Sequence, residues 1–494
     1  MISKKTVTIA FMGGSSSYPG ELPFRPHEVY PELREHVPTG NERNAMYPLL
    51  RQLMQNLKMD IEHFSTPNWN PFGEIIRPGH KVLVKPNLVR HINLAGGDYQ
   101  TVVTHGSLVR SVLDYVALAL QGNGELTIGD APVQSADFSK ILERTGLQEV
   151  CDDVTKTWQI PVKLVDFRLS SLELDDNHRV IRSDALKGDL AGYRAVNLGK
   201  RSLLAPLGEQ SEKFRVTNYD CREMKKHHNE TRHEYLIPRT VLNADVVINL
   251  PKLKTHRKVG LTAALKNMVG INGHKDWLPH HRCGCVEEGG DEYLYASFLK
   301  RLQSRLGERI DQIPNCRSNF FRRMGIYVAG RMARLLADDP FEEGSWYGND
   351  TIWRTVLDLN RLVLYADRRG KMSETPQRKC LTIVDAIIAG DGEGPMSPDS
   401  KPCGALVGGS NPVAVDAVLA TLVGFDYRKI PIIKKGFEVK VWPIVEFGPG
   451  DIIVCSKNAE LHSFKVGISG NKFCFKPASG WLHHIELPRC SLVS

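Results

Sequence analysis

No stretch of this 494-residue chain approaches the run of about 18 apolar residues that a membrane helix needs, so none is expected. The opening MISKKTVTIAFMGG carries two lysines before an apolar run, but that run is too brief and too β-branched for a secretory leader, and Gly13-Gly14 closes it like a strand. A cytoplasmic protein with no membrane partner is the expectation. Cysteine is scattered, and of the ten only Cys283 and Cys285 lie close together. There is no Cys-x-x-Cys-x-x-Cys run, so the chain carries no ferredoxin-type cluster motif. The net charge of +8, from 64 basic against 56 acidic residues, comes without a basic tail, zinc-finger spacing or RNA-recognition signature. Nucleic acid is therefore not an expected partner, and the mild excess suits a basic pocket better. No Gly-Lys-Ser/Thr follows the glycine-rich stretch 390–395, which excludes a P-loop nucleotide hydrolase. No repeat of fixed period is present.

What remains is ordinary globular composition, 41% hydrophobic and 24% charged, in a chain too long for the usual single core. The segment 1–78 reads as an irregular extension with one strand and a helix near 45–56. From 79 the pattern turns regular. Lys81 to Lys85 alternates as a strand and stops at Pro86-Asn87; residues 107–120 carry apolar side chains at helical spacing; 126–128 form the next strand, and 138–144 another helix. Strand–helix–strand repetition predicts an α/β fold, a mostly parallel, helix-flanked sheet in two lobes. The first part of its core runs over 79–292. Residues 293–372, helical and arginine-rich, read as an insertion; the core resumes over 373–430, with Asn411 capping a helix that starts at Pro412. The tail 431–494 reads as short strands and turns.

The densest chemistry lies in NLPKLKTHRKVGLTAALKNMVG, residues 249–270. An apolar strand ends at Pro251, and Lys252, Lys254, Thr255, His256, Arg257 and Lys258 follow on what reads as a loop. A helix carrying Lys266 and Asn267 comes next. A strand end that delivers cations to a helix start is a natural anion site in α/β proteins. Lys85 and Asn87 repeat the device after another strand, and Thr104-His105 stands before the next helix. His105 and His256 are the expected proton carriers, His256 being held neutral as a base by the cations around it. Lys85, Asn87, Thr104, Lys252, Lys254, Thr255 and Asn267 are the expected substrate binders.

A second set of residues suits a cation. Asp130 ends a strand, Asp385 and Glu393 flank the glycine-rich stretch, and Asp416 projects from the helix after Asn411. With a basic cleft nearby these carboxylates would hold a divalent ion bridging to phosphate; separately, Cys283 and Cys285, with His274, His280 and His281 just upstream, would offer soft ligands to zinc. The segment 274–293 (HKDWLPHHRCGCVEEGGDEY) reads as a lid in which Trp277, His280, His281 and Arg282 line a substrate pocket.

Seven pieces in order resemble the domain of unknown function 362 family: VLVKPNLV at 82–89, Thr104-His105, IGDAP at 128–132, NLPKLKTH at 249–256, LKNMVG at 265–270, VDAIIAGDGEGP at 384–395 and NPVAVDAV at 411–418. Some relatives carry an appended ferredoxin module, which this chain lacks. A more distant likeness to the nickel-pincer lactate racemase implies that His105, His256 and Lys266 face one another across a cleft. The expected function is an enzyme acting on a small anionic metabolite, a carboxylate or phosphate ester such as a sugar acid, by histidine-mediated proton transfer of isomerase, racemase or lyase type. The alternatives are a metal- or redox-cofactor-binding protein using Cys283, Cys285 and nearby histidines, and a non-catalytic anion-binding module. Substrate, cofactor and oligomeric state stay open.

Overall fold

Ten strands build one sheet: β1 (Thr6–Phe11), β2 (Lys81–Pro86), β3 (Glu125–Asp130), β4 (Val162–Asp166), β5 (Val246–Leu250), β6 (Lys252–His256), β7 (Gly260–Thr262), β8 (Lys379–Glu393), β9 (Ser397–Gly409) and β10 (Ile453–Ser456). The computed structural model describes residues 2–174, 180–216, 221–302, 304, 341, 343–461, 463–468 and 472–488. The lateral order is β10, β1, β9, β8, β5, β2, β3, β4, with β6 continuing beside β8 and pairing also with β7. Strands β8, β5, β2, β3 and β4 run parallel to one another; β9 is antiparallel to both β8 and β1. This is the mostly parallel α/β architecture expected from the alternating pattern. The two parts of the core, before and after 293–372, share this one sheet.

Because side chains alternate along a strand, the pleat sends Val82, Val84, Val246 and Ile248 to one face and Leu83 and Val247 to the other. The first face is covered by α1 (Met46–Asn56), α2 (Gly106–Leu120), α3 (Phe138–Thr145) and α4 (Leu147–Trp158). The second is covered by α5 (Ala264–Asn267), α6 (Ile352–Tyr365), α7 (Pro412–Leu422) and α8 (Pro431–Glu438). Strands buried on both faces read as near-continuous apolar runs. Among the described residues no helix is long and apolar enough to cross a membrane.

The connections leave the neighbouring strands β2 and β5 in opposite directions. Strand β2 leads through α2 to β3, whereas β5 leads through α5 and α6, on the other face, to β8. Such a topological switch point opens a crevice beyond the carboxyl ends of the strands. Two prolines sharpen it. Leu250 and Pro86 are the last register partners of β5 and β2, and Pro251 follows at once. Lacking an N–H, each proline ends the ladder. Strand β6 then runs on beside β8, no longer next to β2, with Lys252 opposite Asp385 and Lys254 opposite Gly390, and takes β7 on its other side.

Several local expectations change. The basic run after Pro251 is strand β6, not a loop. The glycine-rich stretch 390–395 is the end of β8 and its turn into β9, and the glycines serve close packing: a Cβ on Gly394 would sit 2.1 Å from the Thr255 carbonyl oxygen. The stretch read as an insertion, 293–372, contains α6, whose Val356, Leu357, Leu359 and Leu362 are fully buried core residues; its middle, 305–340, lies outside the described residues. The tail contributes α8 as well as β10.

Gly394→Ala should therefore push β6 away from β8 and cost about 1–3 kcal/mol of stability through overpacking. A lowered urea midpoint with an unchanged slope is the expected reading.

Candidate functional site

At the switch point, Lys85 spends all three of its donors. Its Nζ reaches Asp130 Oδ1 at 2.7 Å, the Pro86 carbonyl at 2.9 Å and Asn267 Oδ1 at 3.1 Å. The other Asp130 oxygen accepts from Leu88 N at 2.7 Å. Asn267 Oδ1 also accepts from Asn87 Nδ2 at 3.0 Å, and its amide donates to Asn249 Oδ1 at 2.8 Å. Lys254 Nζ donates to Asn87 Oδ1 at 2.8 Å and to the Val102 carbonyl. Thr104 Oγ1 accepts from Asn87 N at 2.9 Å and donates to the Leu250 carbonyl at 2.6 Å. So Lys85, Asn87, Thr104, Lys254 and Asn267 do come together as expected, but largely to satisfy one another. They form a buried polar floor joining β2, β3, β5, β6 and α5. Gly270 lets α5's continuation close over that floor, since a Cβ there would stand 1.9 Å from Asp130 Oδ1 and 2.6 Å from Lys85 Nζ.

Above the floor lie charges with few counter-ions. Lys266 and Lys275, like Lys254, have no carboxylate within ion-pair distance among the described residues, whereas Lys258 has Glu343 at 4.0 Å and feels Glu292 and Asp291. Burial, with Lys258 and Lys85 nearby, pushes the Lys266 amine down to about 8. Burial also pushes Lys275 down to about 7, while its Nζ donates to the Ala131 carbonyl at 2.7 Å. Lys254 falls well below the ordinary amine range through burial and the charges of Lys252 and Lys266.

Three imidazoles share this surrounding, and burial first, then lysine charge, holds His256, His280 and His281 well below the usual histidine value. Hydrogen bonds fix two of their tautomers. His256 Nδ1 faces the Lys258 N–H at 3.0 Å and so carries the lone pair, leaving the proton on Nε2. His280 Nδ1 faces the Leu278 carbonyl at 2.6 Å and so carries the proton, leaving the Nε2 lone pair available. Among the described residues neither Nε2 has a protein partner. One ring offers a donor and the other an acceptor. His281 Nδ1 is buried with no hydrogen-bond partner among the described residues.

His105 belongs elsewhere. It is the N-cap of α2, where its Nδ1 accepts from Ser107 N at 3.2 Å and contacts Ser107 Oγ at 2.8 Å. Its ring stacks on Tyr18 with centroids 4.0 Å apart. Tyr18 OH donates to Asp385 Oδ1 at 2.5 Å and accepts from Lys252 Nζ at 2.6 Å; Lys252 and Asp385 pair at 3.0 Å, and Asp385 also accepts from His105 N. Burial pushes His105 down to about 3, with Lys252 helping and Asp385 opposing. Lys252 and His256 stand at opposite ends of β6, roughly 13 Å apart at the usual strand rise. The two histidines expected to work together thus occupy separate networks.

Other expected site residues are structural in their contacts. Thr255 Oγ1 points at the hairpin and donates to the Gly392 carbonyl at 2.8 Å. Arg282 Nε donates to the Gly289 carbonyl at 2.9 Å, with Asp291 and Asp350 nearby. Asp416 accepts from Ala264 N at 2.7 Å and Leu265 N at 3.0 Å. The start of α5, expected to hold an external anion, therefore already holds a carboxylate from α7. Glu393 is exposed and accepts from Ser479 N at 2.7 Å. Buried Cys285 has its amide beside Glu288 Oε2 at 3.3 Å, and Cys283 sits two residues away, partly buried. Asp130, Asp385, Glu393, Asp416, Cys283 and Cys285 do not converge. Among the described residues no group of three or more His, Cys, Asp or Glu side chains is placed to share a metal ion.

Two participants escaped the sequence reading. Lys275 follows Lys266 with no helical or strand periodicity linking them, and Tyr18 lies in an irregular glycine- and proline-rich segment. An open hollow of about 700 Å³ beside β10, lined by Gln55, Asn56, Lys58, Ile61 and residues 454–456, carries one ammonium and no imidazole or carboxylate. It offers no comparable chemistry.

A helix-flanked, mostly parallel sheet with its polar side chains gathered at the switch point defines an α/β protein with a built basic site. The chain belongs to the family described as Domain of unknown function (DUF362), whose model matches residues 82–185 and 195–421. The match spans β2 to β9 and nearly all of α7; β1, Tyr18 and β10 lie outside it. No curated protein matches the sequence.

Breaking the buried Lys85–Asp130 pair from one side leaves an uncompensated charge. Lys85→Met and Asp130→Asn should each cost about 3–5 kcal/mol in urea unfolding, and combining them should cost less than the sum.

Proposed function

We propose that this protein is an enzyme acting on a small anionic metabolite, a carboxylate or phosphate ester such as a sugar acid, at the cluster of Lys258, Lys266, Lys275, His256 and His280. The observation that carries this reading is that buried Lys275 and half-buried Lys266 have no carboxylate within ion-pair distance among the described residues. Burying charge without a partner is costly, so the arrangement calls for a negatively charged ligand. The fixed tautomers support proton transfer as the chemistry: His280 Nε2 accepts the proton, and His256 Nε2–H donates a hydrogen bond to the negative charge that develops. A bound anion would raise the proton affinity of both rings, because an opposite charge favours the protonated form. The histidine-mediated reaction keeps its isomerase, racemase or lyase character, with His280 replacing His105 as the partner of His256. A cytoplasmic location belongs to the same reading, supported by Cys151, Cys380, Cys403 and Cys455, which carry no disulfide.

Sulfate, which stays a dianion across the neutral range, tests the charge argument. Lys266 and Lys275 lose their protons as pH rises through about 8 and about 7, so the thermal stabilisation given by sulfate should shrink from about pH 6.5 to about pH 9. The ligand-free protein should move the other way. Unfolded lysines titrate near 10.4, so between about pH 7 and about pH 10 the unfolded chain binds more protons and stability rises with pH. No stabilisation by sulfate, phosphate or sugar acids at pH 6.5 would remove the reading.

Turnover separates an enzyme from a binding module. Incubating phosphate esters and sugar acids in deuterated water should give exchange of a carbon-bound proton that His280→Ala abolishes and Ser107→Ala leaves. Stabilisation without exchange or product for any tested compound would identify a non-catalytic binder instead.

A further inference from the structure

We propose that Lys266 is a nucleophilic amine that condenses with the carbonyl carbon of an anionic aldehyde or ketone. This deepens the reading of the basic cluster as an anion site and rests on it. Every other lysine at the switch point has a hydrogen-bond acceptor or an acidic neighbour. Lys85 has Asp130, Pro86 O and Asn267; Lys252 has Asp385, Tyr18 and the Ile388 carbonyl; Lys254 has Asn87 and Val102 O; Lys275 has Ala131 O; Lys258 has Glu343. Lys266 has none among the described residues, and it is only partly buried.

The backbone that carries it is held on both sides. Asp416 fixes the amides of Ala264 and Leu265, and the Asn267 side chain is bonded to Lys85, Asn87 and Asn249. A lysine whose stem is fixed while its amine is unbonded is presented to a ligand. An ammonium kept only to balance a ligand's charge gains from a hydrogen-bond partner, whereas an amine that must attack carbon needs its lone pair unengaged. With the amine at about 8, roughly one molecule in ten carries it as free base at pH 7, far more than for an ordinary lysine.

The neighbours suit the step. The amine lone pair forms the carbon–nitrogen bond while the carbonyl π pair moves onto oxygen, where His256 Nε2–H and the Lys258 ammonium meet the charge. His280 Nε2 then carries two protons in turn from nitrogen to that oxygen, which leaves as water. The products are an imine and one water, with no electron gained or lost. Lys275 remains to hold the ligand's own negative group.

Pyridoxal 5′-phosphate, an aldehyde bearing a phosphate, is the probe. The full chain is treated at pH 7, reduced with borohydride and mapped by peptide mass spectrometry. Lys266 should be modified about tenfold more than the exposed Lys58, sulfate should protect it, and pyridoxal without the phosphate should label it less. Lys266→Arg keeps the charge and removes the nucleophile, so it should retain stabilisation by sulfate and lose the protected label. Labelling of Lys266 no greater than that of Lys58, in protein that sulfate still stabilises, would overturn the amine proposal and leave the anion site standing. Failure of sulfate to stabilise the wild-type chain would instead overturn the anion site on which it rests.

Discussion

The buried Lys85–Asp130 ion pair is the interaction on which the rest of the centre is assembled. It joins the carboxyl ends of two adjacent parallel strands, and its remaining hydrogen-bonding capacity is used on Pro86 O, Leu88 N and Asn267. A desolvated pair holds only when such secondary bonds are complete. Asn267 then fixes α5, and α5 carries Lys266. The close approach at Gly270 seals the pair from water. One salt bridge thus sets the height and direction of the short helix from which the site's least committed amine projects.

Around that anchor the chain stores electrostatic cost. Lys254 and Lys275 are buried amines and Lys266 a half-buried one, with no carboxylate within ion-pair distance among the described residues, and three imidazoles are kept neutral beside them. A protein selected only for stability would replace such residues with apolar side chains of similar volume. Active sites are the usual exception, because strained electrostatics there is relieved by the ligand. The carboxylates follow the opposite rule. Asp385 and Asp416 each accept two or more well-formed bonds from within the fold, and they act as braces for β6 and α5.

The sequence made the frame readable because its signals are local. Strand ends at Pro86 and Pro251, the N-cap at Asn411 and the apolar faces of α2 and α7 each announce themselves within a few residues. The polar floor was also visible, since Lys85-Pro86-Asn87 and Asn249 to Lys254 repeat one device on neighbouring strands. The roles within it were not. Whether Lys85 meets a substrate or Asp130 depends on β3, and whether α5 receives an anion or Asp416 depends on a residue 152 positions away. His105 reads as a proton carrier on paper; its extended backbone makes it a helix cap instead. Tautomers are invisible until the carbonyl of Leu278 and the amide of Lys258 are seen. The basic run was read as a loop because β6 gains one side of its ladder from β8, more than 120 residues on, farther along the chain than periodicity can sense.

The sheet also fixes an order of assembly. Strand β1, at Thr6–Phe11, is wedged between β9, at Ser397–Gly409, and β10, at Ile453–Ser456. During synthesis the first strand therefore leaves the ribosome roughly 400 residues before its neighbours exist, and at about 5–20 residues per second it waits some tens of seconds for them. Throughout that interval Val7 and Ile9 lack their eventual cover. The nascent chain must shelter this apolar ribbon, whose backbone can pair with any stray strand edge, so the closing stitch of the architecture is made by a segment born long before its partners.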